Sequence, residues 1–319
     1  MFKTITSKED YIMACEVSKL PIIYNDRFDV KLFDKTVSLN NNPWLWHFHI
    51  KITDACNAKC KFCIEQNCAR EENADRALMN IERMLTEMEE NNCLFSVSVT
   101  GGEPTLFPKF NELCEILKRH NIGFLTMNTN GYNLEKYSSI IDGLFDFVNI
   151  SRHSMDDDVN NQIFNTRVLS KSELLKVKKL YHNTKFRIQC VIGNEIHSVE
   201  DVNNFMKSYK DIADDFSFRR LMQTNDEYGL DYVINNDEYF NILNYAFNNW
   251  KFKEQTIQDY YVYEIYNNGE TDITFSYSDM KMVREIEKTE DDKVFREFIC
   301  HPNGVISGSW KKDCKIILD

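Results

Sequence analysis

The sequence between residues 47 and 222 alternates short strand-like runs with amphipathic helical stretches, and this alternation limits the fold more than any other feature. The predicted strands are His47–Thr53, Leu94–Thr100, Ile122–Asn128, Phe145–Ser151, Lys185–Ile192 and Asp215–Leu221. The predicted helices are Asp75–Glu90, Pro108–His120, Leu134–Ile141, Ser172–Tyr181 and Val199–Tyr209. Such alternation indicates parallel β/α units, open or closed into a barrel. The functional side chains of such folds lie at the carboxyl ends of the strands.

Shorter predicted elements lie on either side of this region. Ile22–Leu39 favours a small hairpin, and Asp237–Trp250 favours a helix. Near the C-terminus, Phe295–His301 and Val305–Trp310 flank Asn303-Gly304, a dipeptide that accepts the positive φ of a tight hairpin. We therefore expect an N-terminal extension over residues 1–46, a barrel over 47–230 and a small α+β cap over 231–319.

The composition excludes several classes of protein. Apolar residues make up 43% of the 319 residues, which is typical of a globular protein with a sizeable core. The net charge of −12 offers no broad positive surface to nucleic acid. No apolar run reaches the roughly 18 residues of a membrane-spanning helix, and the N-terminus lacks the basic start and apolar core of a signal peptide. The sequence thus predicts a cytoplasmic protein with reduced thiols rather than disulfides.

Three cysteines follow the first predicted strand directly. Cys56, Cys60 and Cys63 have the spacing C-x3-C-x2-C, so their thiolates can converge on one metal centre if the loop wraps around it. Sulfur ligands suit either zinc or an iron–sulfur cluster. Structural zinc commonly takes four protein ligands in two separated pairs, and this triplet has no matching second pair. A cubane cluster held by three cysteines instead leaves one iron open to a substrate.

A second motif, Gly101-Gly102-Glu103-Pro104, follows the second predicted strand. Glycines let the backbone come close to a ligand, and the Glu103 carboxylate offers an acceptor to an ammonium group. The cysteine triplet, with Phe62 just before its third cysteine, and this GGEP loop occur in the order and at the strand ends typical of one family. The sequence resembles the radical S-adenosylmethionine (SAM) superfamily.

The resemblance implies a partial (β/α)6, TIM-like barrel that holds one [4Fe–4S] cluster on the three cysteines and SAM on the open iron. An electron donor such as flavodoxin or ferredoxin would reduce the cluster. SAM would then split into methionine and a 5′-deoxyadenosyl radical, which removes a hydrogen atom from the substrate. The residues that the resemblance places around SAM are Phe62, Gly101, Gly102, Glu103, Pro104, Asn130, Ser151, Arg152 and Val191.

Strand alternation also predicts which side chains line the lumen. If the apolar faces of the strands meet the helices, polar side chains point inward, and the predicted catalytic or substrate contacts are Lys51, Arg187 and Gln189. His47 and His49 are expected on the barrel floor, away from the cluster. Arg219 and Arg220 are adjacent, so only one of them can point inward.

A polar lumen favours a polar small molecule, such as a sugar, a nucleoside or a related metabolite, as the substrate of a biosynthetic modification. Modification of a ribosomally made peptide is an alternative within the superfamily, although 46 residues are short for a peptide-recognition domain. A non-catalytic protein with a structural cysteine–metal site is an alternative of another class.

The C-terminal hairpin resembles the one that opens the cysteine-rich auxiliary domains of some radical SAM relatives. This chain departs from their pattern, because only Cys300 and Cys314 follow Cys190, and Ser309 stands where a ligand cysteine would be expected. Two cysteines do not supply the three or four ligands of a further cluster. The tail is therefore predicted to close the open side of the barrel without an auxiliary cluster.

Overall fold

A long β-sheet, covered by helices, organises the part of the chain that the computed structural model describes, residues 27–40, 46–63, 71–91, 95–221, 236–258, 261–278, 293–310 and 315–319. The strands are β1 Arg27–Leu32, β2 Lys35–Asn40, β3 Trp46–Lys51, β4 Phe95–Thr100, β5 Phe124–Thr129, β6 Phe147–Ser151, β7 Lys185–Ile192, β8 Asp215–Arg220, β9 Lys251–Gln258, β10 Tyr261–Asn267, β11 Asp272–Ser278, β12 Val294–Phe295, β13 Glu297–Cys300, β14 Ile306–Ser307 and β15 Ile316–Leu318. The helices are α1 Ala74–Glu90, α2 Phe110–Arg119, α3 Ser138–Ile141, α4 Asp157–Phe164, α5 Lys171–Lys178, α6 Val199–Tyr209 and α7 Asn236–Asn249, and a 3-10 turn spans Pro104–Leu106.

The central part of the sheet has the predicted parallel α/β arrangement. Among the described residues its strand order is β15-β14-β13-β3-β4-β5-β6-β7-β8-β11-β10-β9, and β3 to β8 pair in parallel in chain order. The outermost strands, β15 and β9, do not pair with each other, so in this part of the chain the sheet is open. The predicted partial (β/α)6 barrel is therefore confirmed as an open sheet of parallel strands rather than a closed barrel.

The two faces of the barrel strands differ as the alternation predicts. In β7, Phe186, Ile188, Cys190 and Ile192 are fully buried and share one core with apolar side chains of α5 and α6. The residues between them are half-buried and face the other side of the sheet. Burial of apolar side chains under the helices fixes the register, because a shift of one residue would turn this set toward the lumen.

The C-terminal strands prolong the barrel sheet at both edges. β13 pairs in parallel with β3, with Glu297 opposite His47, and β11 pairs in parallel with β8, with Ser276 opposite Arg219. The predicted hairpin is present, since β13 and β14 are antiparallel and Gly304 has φ +87°. The division into extension, barrel and cap stays a prediction, because the described C-terminal strands are continuous with the barrel sheet.

The N-terminal region contributes a second, small sheet. β1 and β2 form an antiparallel hairpin over the described part of the predicted Ile22–Leu39 segment, and β2 also pairs in parallel with β12. The side chains of Val30, Leu32, Val37 and Leu39 are buried in the common core. Among the described residues, no helix combines the length and the apolar character that crossing a membrane requires.

Candidate cluster and substrate site

The three predicted ligands lie on one loop at the carboxyl end of β3. Cys56 is exposed, whereas Cys60 and Cys63 are half-buried. The loop is held by its own backbone, since the Cys63 N–H donates to the Cys60 carbonyl at 3.0 Å and the Ala58 N–H donates to the Cys56 sulfur at 3.3 Å. All three sulfurs are thus presented by a short, ordered turn on the edge where such folds place their chemistry.

The thiols are close enough to affect one another's ionisation. Burial, with the neighbouring Cys63 and Cys56, raises the pKa of Cys60 to about 12, and burial also raises the pKa of Cys56. Three thiolates so placed repel one another unless a positive centre joins them, and soft iron centres take thiolate ligands. No group of three or more His, Cys, Asp and Glu side chains in the described part of the chain is arranged to hold a single metal ion. The donor set and its exposure fit a [4Fe–4S] cluster on Cys56, Cys60 and Cys63.

Gly101 and Gly102 pack against the cysteine loop. The Gly102 N–H donates to the Thr53 carbonyl at 2.7 Å, and the Glu103 N–H donates to the Ala55 carbonyl at 2.8 Å. A Cβ on Gly101 would lie 2.4 Å from the Thr53 oxygen, and one on Gly102 would lie 2.3 Å from the Ala55 oxygen. Both positions therefore require glycine because two backbones meet there, a reason that does not depend on a ligand.

The Glu103 carboxylate is buried inside the protein. Its side chain is fully enclosed, and it accepts hydrogen bonds from the Thr105 N–H and hydroxyl, the Thr129 hydroxyl and the Asn130 N–H at 2.7–3.2 Å. Burial raises its pKa, while these hydrogen bonds lower it. Donors of two loops thus occupy both oxygens, and the expected contact with an ammonium group stays a prediction. Pro104 starts the 3-10 turn that presents Thr105.

Asn130 connects the loop after β5 to the cysteine loop. Its amide nitrogen donates to Asn57 Oδ1 at 2.8 Å, and it hydrogen-bonds the Cys56 thiol, an interaction that lowers the pKa of that thiol. The next residue, Gly131, has φ +92°, which an L side chain rarely adopts. The predicted Thr129-Asn130-Gly131 turn is therefore adjacent to a predicted ligand, and Asn130 is the residue in contact with it.

Arg152 follows the last residue of β6 and is completely buried. Its guanidinium donates to the carbonyls of Asn130, Ser151 and Leu169 at 3.0, 2.6 and 2.8 Å, and its Nε has no hydrogen-bond partner within the described ranges. Burial lowers its pKa to about 10. The guanidinium thus holds three backbone carbonyls, and its predicted contact with SAM stays a prediction. Ser151 itself is half-buried at the end of β6.

His153 was not identified from the sequence. It is buried, its ring meets Phe62 edge-on at 5.0 Å between centroids, and its Nδ1 accepts the Val191 N–H at 3.1 Å. Burial, with nearby Arg152, lowers its pKa to about 3, so the ring is neutral. His153 thus links predicted residues Phe62 and Val191, and the only sequence signal was its position two residues after a strand end.

The lumen face carries linked polar side chains, as predicted. Ser96 Oγ lies 2.6 Å from His47 Nδ1 in the lower part of the sheet. Nearer the carboxyl ends, the Asn149 amide donates to Asn128 Oδ1 at 3.0 Å, and the Asn128 amide donates to Ser98 Oγ at 3.0 Å. Asn149 Oδ1 is buried without a hydrogen-bond partner among the described residues. These amides thus form a linked polar row across β4, β5 and β6.

The three predicted catalytic residues have different surroundings. Lys51 is buried, and its Nζ lies 2.7 Å from Asp54 Oδ1 at the start of the cysteine loop. Gln189 is half-buried and is the register partner of Ser151, near the carboxyl ends. Arg187 lies one row lower, and its Nε and Nη2 donate to the two oxygens of Asp215 at 2.6 and 2.8 Å. The structure brings Lys51 and Gln189 to the functional edge, whereas Arg187 is neutralised below it.

The strand register shows on which face of β8 the adjacent Arg219 and Arg220 lie. Arg220 stacks over the ring of Tyr239, 5.2 Å from its centroid, on the helix-covered face. Arg219 is opposite Val191 in β7 and therefore shares the lumen face with Gln189. The expectation that only one of the two points inward is confirmed, and the inward residue is Arg219.

Known proteins are similar to this chain in sequence. A probable GTP 3′,8-cyclase of Sulfolobus acidocaldarius is 34% identical over 125 residues, which are 38% of this chain and 39% of that protein. A GTP 3′,8-cyclase of Pasteurella multocida is 25% identical over 187 residues, 57% of this chain and 55% of that protein. The chain thus covers less than two thirds of the length of either relative.

Solved structures and a family model extend the comparison. Streptococcus suis SuiB bound to S-adenosylmethionine has a similar fold, with a TM-score of 0.60 and 16% identity over 99% of this chain and 70% of that chain. The model of the radical SAM superfamily matches residues 50–208, which include the cysteine loop, the GGEP loop and the barrel strands up to β7. The chain therefore belongs to the radical SAM superfamily, whose members use a [4Fe–4S] cluster and SAM.

Proposed function

We propose that this protein is a radical SAM enzyme that removes a hydrogen atom from a polar small molecule bound in the lumen. The observation that carries the proposal is the joining of three loops around Cys56, Cys60 and Cys63. The Gly102 and Glu103 amides bind the cysteine loop directly, and Asn130 binds it from the next loop. A loop fixed on two sides can hold three thiolates in one arrangement while a cluster gains and loses an electron.

A [4Fe–4S] cluster held by Cys56, Cys60 and Cys63 would supply the one-electron reduction that splits the sulfonium C–S bond of SAM, with the electron drawn from an external donor. The products would be methionine and, after removal of a hydrogen atom from the substrate, 5′-deoxyadenosine. The chain's own residues hold the ligands and exclude water. Phe62 and His153 form an apolar contact beside the third cysteine, and the half-buried Val191 and Ser151 line the adjacent strand ends. Shielding of this kind protects a reactive radical from solvent.

The polar lumen supports a polar substrate, such as a sugar, a nucleoside or a related metabolite, in a biosynthetic modification. The side chains of Ser98, Asn128 and Gln189 are half-buried, so they face accessible space and offer neutral donors and acceptors. Lys51 adds a cation held by Asp54. The cyclase relatives are named for action on GTP, which is in keeping with a polar substrate. We also propose an electron donor such as flavodoxin or ferredoxin, and a cytoplasmic location.

A peptide substrate is the second candidate. In the described part of the chain β1 is the outermost strand of its sheet, and the side chains of Asp29 and Lys31 on it are exposed. An extended peptide segment can add to such an edge through main-chain hydrogen bonds. Binding of a candidate precursor peptide that is lost when Asp29 and Lys31 are replaced by proline would favour this candidate over the small molecule.

The test is SAM cleavage by anaerobically reconstituted protein. Wild-type protein should carry about four irons and form 5′-deoxyadenosine when reduced, and Cys60→Ala should lose both properties. Cys114→Ala is the matched control, because Cys114 is a buried thiol on α2 whose pKa is raised by burial. A protein that binds one zinc ion and gives no spectroscopic response to SAM would instead be the non-catalytic metal protein. Label from deuterated candidate substrates that appears in 5′-deoxyadenosine would identify the substrate.

A further inference from the structure

The lumen contains two arginines whose electrostatic surroundings differ. Arg187 is paired with both oxygens of Asp215, and its guanidinium lies 4.2 Å from the centroid of the Phe147 ring. A bidentate pair of this kind leaves little charge for another anion. Arg219, by contrast, forms no ion pair with any carboxylate in the described part of the chain. Its side chain is half-buried, so it keeps access to the lumen.

The register places Arg219 at the edge where the reaction occurs. It is the second-last residue of β8 and is opposite Val191, the predicted SAM neighbour near the end of β7. On its other side Arg219 is opposite Ser276 in β11, and Ser276 is opposite Tyr263 in β10. Residues aligned in this way point to the same face of a sheet. Arg219, Ser276 and Tyr263 therefore form one polar row across β8, β11 and β10.

We infer that Arg219 and Tyr263 bind an anionic group of the substrate, a carboxylate or a phosphate. The inference rests on the proposed function and makes its substrate class more specific. A guanidinium and a phenol in one row offer the fork and the single O–H donor that an oxyanion accepts. Burial raises the pKa of the Tyr263 phenol, and nearby Arg219 lowers it by less. The phenol therefore stays protonated and can donate a hydrogen bond.

Among the described residues, Glu297 is the carboxylate that acts on this row, and its oxygens already have partners. Glu297 raises the pKa of Tyr263, but its two oxygens lie 3.1 Å from His49 Nε2 and 2.9 Å from Trp310 Nε1. It therefore belongs to the group of side chains that joins β13 to β3, and it does not neutralise Arg219. A substrate anion would supply the counter-charge that this lumen cation lacks among the described residues.

The inference is tested by anion binding to reconstituted, SAM-loaded protein. Isothermal titration with inorganic phosphate, succinate and uncharged glycerol should show binding of phosphate or succinate but not of glycerol. Arg219→Gln should weaken that binding by about ten-fold or more, and Arg219→Lys by less. Arg220→Gln is the matched control, because its side chain leaves the same strand on the opposite face, and it should bind anions like the wild type. The stronger of phosphate and succinate identifies the anionic group.

Three results would overturn the inference. The first is a wild-type protein that binds no anion, and the second is an Arg219→Gln protein that binds anions as well as wild type. The third is an Arg219→Gln protein that loses the spectroscopic response to SAM, which would assign the arginine to the cosubstrate. Failure of the proposed function has a different signature, because the wild type itself would then give no response to SAM. Tyr263→Phe provides an independent check and should weaken anion binding while the SAM response is retained.

Discussion

The Thr129 hydroxyl lies 2.8 and 2.9 Å from the two oxygens of the Glu103 carboxylate, and this contact joins the loop after β4 to the loop after β5. Since the Glu103 backbone N–H also binds the cysteine loop, one residue connects three loops. Its side chain therefore acts as a structural bracket between the loops around the predicted cluster.

Replacement of Glu103 should lower the stability of the folded protein. Glu103→Ala leaves the Thr105 and Asn130 amides buried without an acceptor, and we expect the free energy of unfolding to fall by about 3 kcal/mol. Urea unfolding of the cluster-free protein under reducing conditions measures this effect. Glu135→Gln, at an exposed position, is the control and should leave the midpoint unchanged. An equally stable Glu103→Ala protein would show that the bracket is unimportant.

Gly102→Ala should prevent correct formation of the cysteine loop. The new Cβ would lie 2.3 Å from the Ala55 carbonyl oxygen, and backbone atoms cannot rotate away as a side chain would. We expect the iron content after anaerobic reconstitution to fall to less than about half of the wild-type value. Gly269→Ala separates backbone strain from the clash, because Gly269 has φ +100° but no atom within 4 Å of the added Cβ. Normal iron content in Gly102→Ala would contradict the packing argument.

Elements with strong local patterns could be predicted from the sequence. β7 and α6 have the predicted bounds, because strict alternation marks the strand and the Ser198–Asp201 capping box starts the helix. The cysteine triplet and the GGEP loop could be located because each is a short motif that follows a strand. Local patterning determines which face of a strand is buried, so it also predicted the polar lumen.

Features that depend on distant partners could not be predicted in this way. The sequence of α4, DDVNNQIF, has few apolar residues, so its pattern does not predict a helix. The helix starts at a cap formed by the Asp156 side chain, which accepts hydrogen bonds from the Asp158 and Val159 N–H groups. The β9–β11 strands and the parallel pairing of β11 with β8 are non-local. Alternation predicts that Arg187 points inward, but it does not indicate that Asp215 lies opposite it on the next strand. For the same reason the burial of Glu103 and Arg152 was not foreseen.

A double-mutant cycle on Arg187 and Asp215 distinguishes a structural pair from a substrate contact. Arg187→Gln leaves the buried Asp215 carboxylate without its partner, so we expect a loss of about 2–4 kcal/mol in the free energy of unfolding. Adding Asp215→Asn should recover part of that loss, since both charges are then removed. A structural role predicts that the double variant keeps the wild-type KM for its substrate. A large rise in KM in the stable double variant would indicate that Arg187 contacts the substrate.

The last prediction concerns Glu173, whose carboxylate completes the capping box at the start of α5. The Ser170 N–H, followed by the hydrogen bond from Arg167, lowers the pKa of Glu173 from 4.5 to about 2. Because the folded-state pKa is lowered, the stabilisation is fully present above about pH 4.5 and is lost as the pH falls toward 2. Glu173→Gln should therefore reduce the free energy of unfolding by about 1 kcal/mol at pH 7, and the difference from wild type should shrink between pH 4.5 and pH 2. Urea titrations of the cluster-free proteins across this range measure it, and a difference that stays constant down to pH 2 would mean that the ionised form is not what caps the helix.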